Sequence, residues 1–578
     1  MKMVLSNNIG AVLTFAFVAL FVCMPVSVQM IHLEKLSTVY LPHTYVNGVG
    51  QYMYDKDAAV MSTYDEHDST VYAIGHEYLH VIDISNVTHP AIESKHQFFY
   101  AKLRAIEFCD DYLFIAMTGD KNTGRVEVYQ IQHAPTEMLV LVHNITVGVK
   151  PEMIQATSNC RTVVVAMEGS PYNNGSDFVD PEGAVGIIRF TEAAGIGGSY
   201  QYTKLDFKKF DNIWQELVSS GVRFIYRENN NSFSNDVEPE YITFNKDESV
   251  AYIALQENNA IAEVDMATLE ITDIHPLGYK NWTNSKLDVS DRDNMVNIRQ
   301  WPVMGMYQPD AIKFITIGDK SYLLTANEGR AKDYSDIVGS GGFNEESRVA
   351  DLTIDDHIDL DAPVSYWAAN NGFMWNLQTD KNLGRLMVSN LEGKHGDAYD
   401  DLYTFGGRSI SLYDVSTFNQ VYDSGSEIEE KIAQQYSGLF NANGKSQTSV
   451  VSESKDSRSD AKGPEVESLA VVQDGNTTVI FVGIERPGLI AVYSIPGDVS
   501  TIRFESLWSG ITRTNDTFGN LYDQRLISDI GPDDLRYIPA NESPNNRSLL
   551  VSTSSTSGTV SLFEIKGLSG TNTGGSVP

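Results

Sequence analysis

Five units of a repeating apolar pattern open with a proline and an acid: Pro151-Glu152, Pro239-Glu240, Pro309-Asp310, Pro464-Glu465 and Pro532-Asp533. Four more acids, Glu168, Glu257, Glu328 and Glu485, follow an apolar run within two residues. Carboxylates gathered in one place repel one another unless a cation neutralises them, and Ca²⁺ takes oxygen ligands. These nine acids are therefore candidate metal ligands. The competing reading is turn chemistry, in which a carboxylate beside proline accepts from free backbone N–H groups. Three loops add oxygen donors, "DVSDRDN" (288–294), "DDHIDLD" (355–361) and "GDAYDDLY" (396–403), none with EF-hand spacing. Arginines are interspersed with the acids: Arg299, Arg330, Arg408, Arg458 and Arg486. Arg458 and Arg486 are candidate anion donors beside a carboxylate-bound metal, with plain ion pairing as the alternative.

The other motifs are weaker. "HEYLH", His76 to His80, matches a zinc pattern that needs a helix to bring the two histidines together. Here it runs into a strand, where four residues separate the imidazoles by about 13 Å. The sequence contains no G-x-S-x-G elbow, Walker loop, dinucleotide fingerprint or CxxC pair, so no catalytic residue is assigned.

What positions the acids is a repeat. From Glu238 the chain reads "EYITFN", turn, "SVAYIAL", loop, "AIAEVDM", then "LEITDIHPL". This is the order of a four-stranded antiparallel propeller blade. The third-strand pattern recurs at 77–84, 124–131, 183–190, 259–266, 408–415, 488–495 and 558–565, each time after an apolar second strand. Repetition in register predicts an all-β, seven-bladed β-propeller over 30–566 with loop and short helical insertions. In that fold the first strands line a central channel, and the Pro-acid openings gather around one mouth. Insertions are expected at about 199–237, 327–407 and 424–462. The first contains the helix-like "FDNIWQELVSSG". The third opens with Ser426 and Glu429 in a capping-box pattern, with Ile428, Ile432 and Tyr436 on one helical face. Residues 567–578 read as a flexible Gly/Ser/Thr tail.

The totals set the compartment. Asp and Glu number 76 against 42 Lys and Arg, a net charge of -34, which excludes nucleic acid as a partner and favours cations. Residues 1–29 read as a signal peptide, an uncleaved anchor being the alternative. Beyond it, Cys109 and Cys160 form an even pair suited to a disulfide in an oxidising compartment, with two buried free thiols as the alternative. Nine N-x-S/T sequons begin at Asn86, Asn144, Asn174, Asn230, Asn281, Asn476, Asn515, Asn541 and Asn546. The expectation is a secreted or cell-surface glycoprotein.

At "QENNAIAEVDM", "NIRQWPVMGMYQPDAI", "LTANEGRAKDY", "LYTFGGRSISLYD", "SRSDAKGPEVESLAV" and "ERPGLIAVYSI" the chain resembles the choice-of-anchor I domain family, specifically its animal, biomineralisation-associated branch, over about residues 36 to 566. The resemblance implies a propeller at the cell surface or in secreted matrix, linked to calcium carbonate deposition. Two departures bear on the acids: Ser468 stands where the family usually has Gly, and "GPDDL" replaces Gly-Pro-Glu-Gly-Leu, which makes Asp533 a shorter carboxylate. A lipid anchor of the family type needs a hydrophobic C-terminal tail, and none is visible before Pro578. Three functions remain open on these grounds. The first is a calcium-binding glycoprotein of skeleton formation whose partners are calcium ions or a mineral surface. The second is a calcium-dependent metallophosphatase, with Glu240, Glu328 and Glu465 on metal and Arg458 or Arg486 on phosphate. The third is a propeller scaffold for a matrix protein or glycan. Membrane contact is expected only through an anchor.

Overall fold

The computed structural model describes residues 30–119, 122–132, 138–175, 177–191, 195–354 and 377–568. Residues 1–29, expected to be a signal peptide, the "DDHIDLD" loop and nearly all of the expected C-terminal tail lie outside the described residues.

Among the described residues, seven four-stranded antiparallel sheets follow one another along the chain. We number them one to seven by their first strands: Met61–Asp65, Lys102–Cys109, Pro151–Ala156, Pro239–Phe244, Ile312–Ile317, Val466–Asp474 and Pro532–Ile538. Each first strand packs against the next, and the seventh packs against the first, so the set closes into a ring. The second strands are continuous apolar runs because both of their faces are buried. Alternate side chains serve different interfaces: Val163 and Val165 face sheet two, whereas Val164 and Ala166 face sheet four. An apolar cluster of this kind fills every junction, including that between sheets seven and one, where Val551 and Leu562 meet Val71 and Ile82.

Ring closure uses a strand that the repeat pattern did not reveal. The outer strand of sheet seven is His32–Tyr40, from the other end of the chain, registered from His32 on Lys566 to Tyr40 on Thr559. Sheet seven is therefore built from two distant segments of the chain, and the edge of Thr559–Lys566 is paired rather than exposed. Sheets two and three are also joined covalently, by the Cys109–Cys160 disulfide.

The insertions differ from expectation in their boundaries. Tyr200–Asp206 is the outer strand of sheet three, so the first excursion begins after it, with a 3-10 turn Lys208–Asn212 and a helix Trp214–Ser220. The second excursion folds with the segment that precedes sheet five. Together they form a five-stranded sheet ordered Tyr279–Asn281, Met304–Met306, Tyr403–Phe405, Met387–Ser389 and Glu346–Arg348, over a core that includes Trp282 and Trp301. In the third, the helix Glu427–Gln435 does bury Ile428 and Ile432, but the capping box does not form. The Ser426 hydroxyl is turned to the Lys286 amide instead. Glu429 is buried and accepts from Arg408 Nη1 at 2.8 Å and Asn441 Nδ2 at 2.7 Å. An ion pair in the interior outweighs a cap because a buried guanidinium must be neutralised.

Candidate cation site at the channel mouth

Five of the seven first strands begin with β-bulges, those of sheets one and five being regular, and the bulges carry charged residues. The register shifts between Pro151 and Met153, Pro239 and Ile242, Val466 and Leu469, and Pro532 and Asp534. A bulge leaves a residue out of the ladder and re-aims its side chain. The residues so placed include Glu152, Glu240, Glu467 and Asp533; in sheet two the same place holds Arg104. Asp310 stands just before its strand, its amide donating to Ala326 O at 3.1 Å.

This register corrects one candidate. The equivalent of Glu240 in sheet six is Glu467, not Glu465, because Val466 pairs with Ile484 as Pro239 pairs with Leu255. Glu465 lies upstream with a left-handed φ of 53°. Proline misled the alignment. The register of the second strand, whose last residue Ile484 precedes Glu485, was the signal that would have found Glu467.

Six of the nine sequence-derived acids are ion-paired. Lys150 bridges Glu152, at 3.2 Å, and Glu168; Arg104 Nη1 adds a 3.2 Å contact to Glu152. Arg330 Nε is 3.3 Å from Glu257. Lys462 joins Glu328 to Glu465, the latter at 3.1 Å. Arg458 Nε donates to Glu465 at 2.9 Å, and Glu485 takes Arg486 at 2.9 Å and Lys445 at 3.2 Å. Arg458 and Arg486, the candidate anion donors, are thus engaged by carboxylates, as the ion-pair alternative has it. Burial pushes the Glu465 pKa up, but Lys462, then Arg486 and Arg458, overcome this and hold it well below the usual range.

Glu240, Asp310, Glu467 and Asp533 form no ion pair among the described residues. Burial, then the Glu257 charge, raises the pKa of Glu240 well above normal. Burial and Glu328 push Asp310 up to about 8. Burial and the Glu485 charge raise Glu467 and Asp533 well above their ordinary values. Among the described residues none of these carboxylates has a cation in contact, although Arg330 acts on Glu240 and Asp310, and Lys445 on Asp533, from farther away.

Carboxylate oxygens converge in two places at the mouth. Those of Glu328, Glu465 and Glu485 lie within 4.8 Å of one another, as do those of Glu467, Glu485 and Asp533. Lysine and arginine already neutralise the first group. The second has cations only on Glu485, and Glu467 Oε2 is buried without a hydrogen-bond partner. An orphaned buried carboxylate oxygen beside two other carboxylates is a donor set that fits a hard divalent cation.

The remaining candidates are structural. His76 lies in a bend and His80 in the strand Tyr78–Asp83, its Nε2 3.1 Å from Tyr45 Oη, so the pair is not on a helix. In the 288–294 loop, Asp288 accepts from the Ser290 amide at 3.3 Å and Asp293 from the Met295 amide at 3.0 Å. Arg408 is buried, with Nη1 2.7 Å from Asp288 O and Nη2 2.9 Å from Ser459 O. Eight of the sequon asparagines are exposed; Asn281 is half-buried, its Oδ1 accepting from the Thr283 amide at 2.9 Å.

Residues 60–498 match the choice-of-anchor I domain model. Gigasin-3a of Magallana gigas is 44% identical over 194 residues, which cover 33% of this chain and 68% of that protein. The mesenchyme-specific cell surface glycoprotein of Strongylocentrotus purpuratus is 30% identical over 332 residues, 54% of this chain but only 42% of that protein. Among solved structures, Kuenenia stuttgartiensis hydrazine synthase superimposes with a TM-score of 0.42 at 10% identity, covering 90% of this chain and 99% of that one. The Myceliophteria thermophila Cps50 (Swd1) β-propeller domain gives 0.41 at 7%, covering 93% and 100%. On the family match, which takes in all or part of the first six sheets, the chain belongs to the choice-of-anchor I domain family.

Proposed function

We propose that this is a glycoprotein of the cell surface or secreted matrix whose channel mouth binds calcium, and that it acts in calcium carbonate skeleton formation. The observation that carries the cation reading is the second carboxylate group. Glu467 and Asp533 have no cationic partner, and their oxygens lie within 4.8 Å of Glu485. The surface location is supported by the echinoderm relative, named as a cell surface glycoprotein, and by eight exposed sequons. The acidic surface, with its net charge of -34, supports contact with calcium or mineral. Glu467, Glu485 and Asp533 would hold the ion, which would supply the positive charge these carboxylates lack. The ester-hydrolase alternative is weakened because Arg458 donates to Glu465 and Arg486 pairs with Glu485 through Nη2, although Arg486 Nη1 is buried without a hydrogen-bond partner among the described residues.

Calorimetry of the purified glycoprotein with calcium, with magnesium as control, tests the reading. Saturable calcium binding tighter than millimolar is expected; heats that scale only with ionic strength would remove the specific site.

A further inference from the structure

The channel contains a second chamber, on the opposite side of the first strands from the acidic mouth, with a different charge problem. It is a cavity of about 490 Å³ lined by residues of all seven first strands, so it lies on the ring axis. The carboxylates in its wall are already engaged. Glu107 pairs with Arg536 Nη2 at 3.3 Å, Asp534 accepts from the Ser62 amide at 3.1 Å, and Glu248 accepts from the Ser158 amide at 2.6 Å. Lys313 also lines the cavity, and among the described residues its ammonium makes no ion pair or hydrogen bond. Its Nζ stands 5.8 Å from the centre of the Tyr241 ring, and Arg536 of sheet seven lines the same cavity. Arg536 gives Nε to Ser62 O at 3.0 Å and Nη2 to Glu107, and Nη1 has no hydrogen bond among the described residues. Gln155, only 6% exposed and part of the same lining, has Oε1 buried without a partner.

The chamber therefore presents cationic donors without an acceptor and one amide acceptor without a donor. We propose that it is a binding site for a small hydroxyl-bearing oxyanion of the hydrogen phosphate or bicarbonate class. The anionic oxygens take the Lys313 ammonium and Arg536 Nη1, and the ligand hydroxyl donates to Gln155 Oε1. Charge-assisted hydrogen bonds with directional donors are the strong ones, which gives the site its selectivity over chloride. Burial, then the charge of Arg536, lowers the Lys313 pKa, and a bound anion removes that penalty. The site is independent of the mouth carboxylates and does not rest on calcium binding there.

The test is titration of the full chain with sodium phosphate, bicarbonate and acetate at constant ionic strength in chelator, so that no divalent ion takes part. Saturable binding of phosphate or bicarbonate is expected. Acetate, which lacks the hydroxyl, should bind several-fold more weakly, and Lys313→Gln should weaken binding at least tenfold. Lys246→Gln, at the exposed rim, should leave it within about threefold. If Lys313→Gln does not fold, lysine acetylation of the wild-type protein read by mass spectrometry decides the matter: millimolar phosphate or bicarbonate should protect Lys313 and not Lys246. No saturable binding by the wild-type chain, unchanged affinity in a folded Lys313→Gln variant, or Lys313 labelling unmoved by either anion would overturn the proposal.

Discussion

Glu467, on the bulge that opens sheet six, brings a carboxylate oxygen within 4.8 Å of one from Asp533, on the bulge that opens sheet seven, and neither has a cation of its own. Glu465, only two residues away along the chain, is surrounded by Lys462, Arg458 and Arg486. Two acids of similar sequence context thus have opposite electrostatic situations, and they should respond to mutation in opposite ways.

Glu467→Gln combined with Asp533→Asn removes the unneutralised charges. Calcium affinity should fall at least tenfold, while the calcium-free protein keeps or gains thermal stability. Glu465→Gln strands buried cations and should cost about 3–5 kcal/mol, with calcium affinity changed far less. Calorimetry and thermal melts of both variants check this; equal destabilisation of the two would count against the division of roles.

The same asymmetry sets the pH response. A carboxylate whose folded pKa is raised contributes stability below its unfolded value of about 4 and loses that contribution as pH rises through the folded value. For Asp310 that value is about 8, and Glu240, Glu467 and Asp533 shift in the same direction. In chelator, the melting temperature should therefore decline from pH 5 to pH 8. Calcium should reverse the part of the decline due to Glu467 and Asp533, because binding favours their charged forms. The Glu465 contribution runs the other way and is lost only below pH 4, since its folded pKa is depressed. A chelated protein whose stability rose steadily from pH 5 to 8 would contradict the assignment.

Reading the sequence located the sheets better than the site, for a physical reason. Second strands are apolar on both faces, so "TVVVAM" or "VAYIAL" stands out whatever surrounds it. Register is subtler, because a bulge changes which residue faces the channel without changing composition. In sheet six the Pro-Glu pair therefore pointed to Glu465 when Glu467 held the equivalent position. The counter-ions were equally hidden: Lys150, Lys445 and Lys462 come from connections between sheets, and nothing in their local sequence tells which carboxylate each meets. Ser426 illustrates the same limit. Its capping pattern is local, but the contacts to the 285–286 turn that displaced it are not.

The seam of the ring can be tested directly. The strand His32–Tyr40 completes sheet seven and covers the edge of Thr559–Lys566. Deleting residues 32–40 exposes that edge, so the variant should aggregate or melt far below the intact protein. Light scattering during a thermal ramp provides the readout. A monomeric variant with an unchanged melting temperature would show that closure is dispensable.

Cys109–Cys160 ties neighbouring sheets across a separation of 51 residues. In the chain-entropy model a loop of this size is worth about 4 kcal/mol. The hydrophobic cluster beneath it holds Cys160 beside Phe114, Ile154 and Val163. Those contacts are present with or without the bond, so the native ring should survive reduction. Replacing both cysteines with serine should lower the melting temperature by several degrees and leave calcium affinity at the distant mouth unchanged. The combination is the informative result: a loss of calcium binding along with stability would mean that the two ends of the channel are mechanically coupled through sheets two and three. Calorimetry on the oxidised, reduced and double-serine proteins distinguishes the two outcomes.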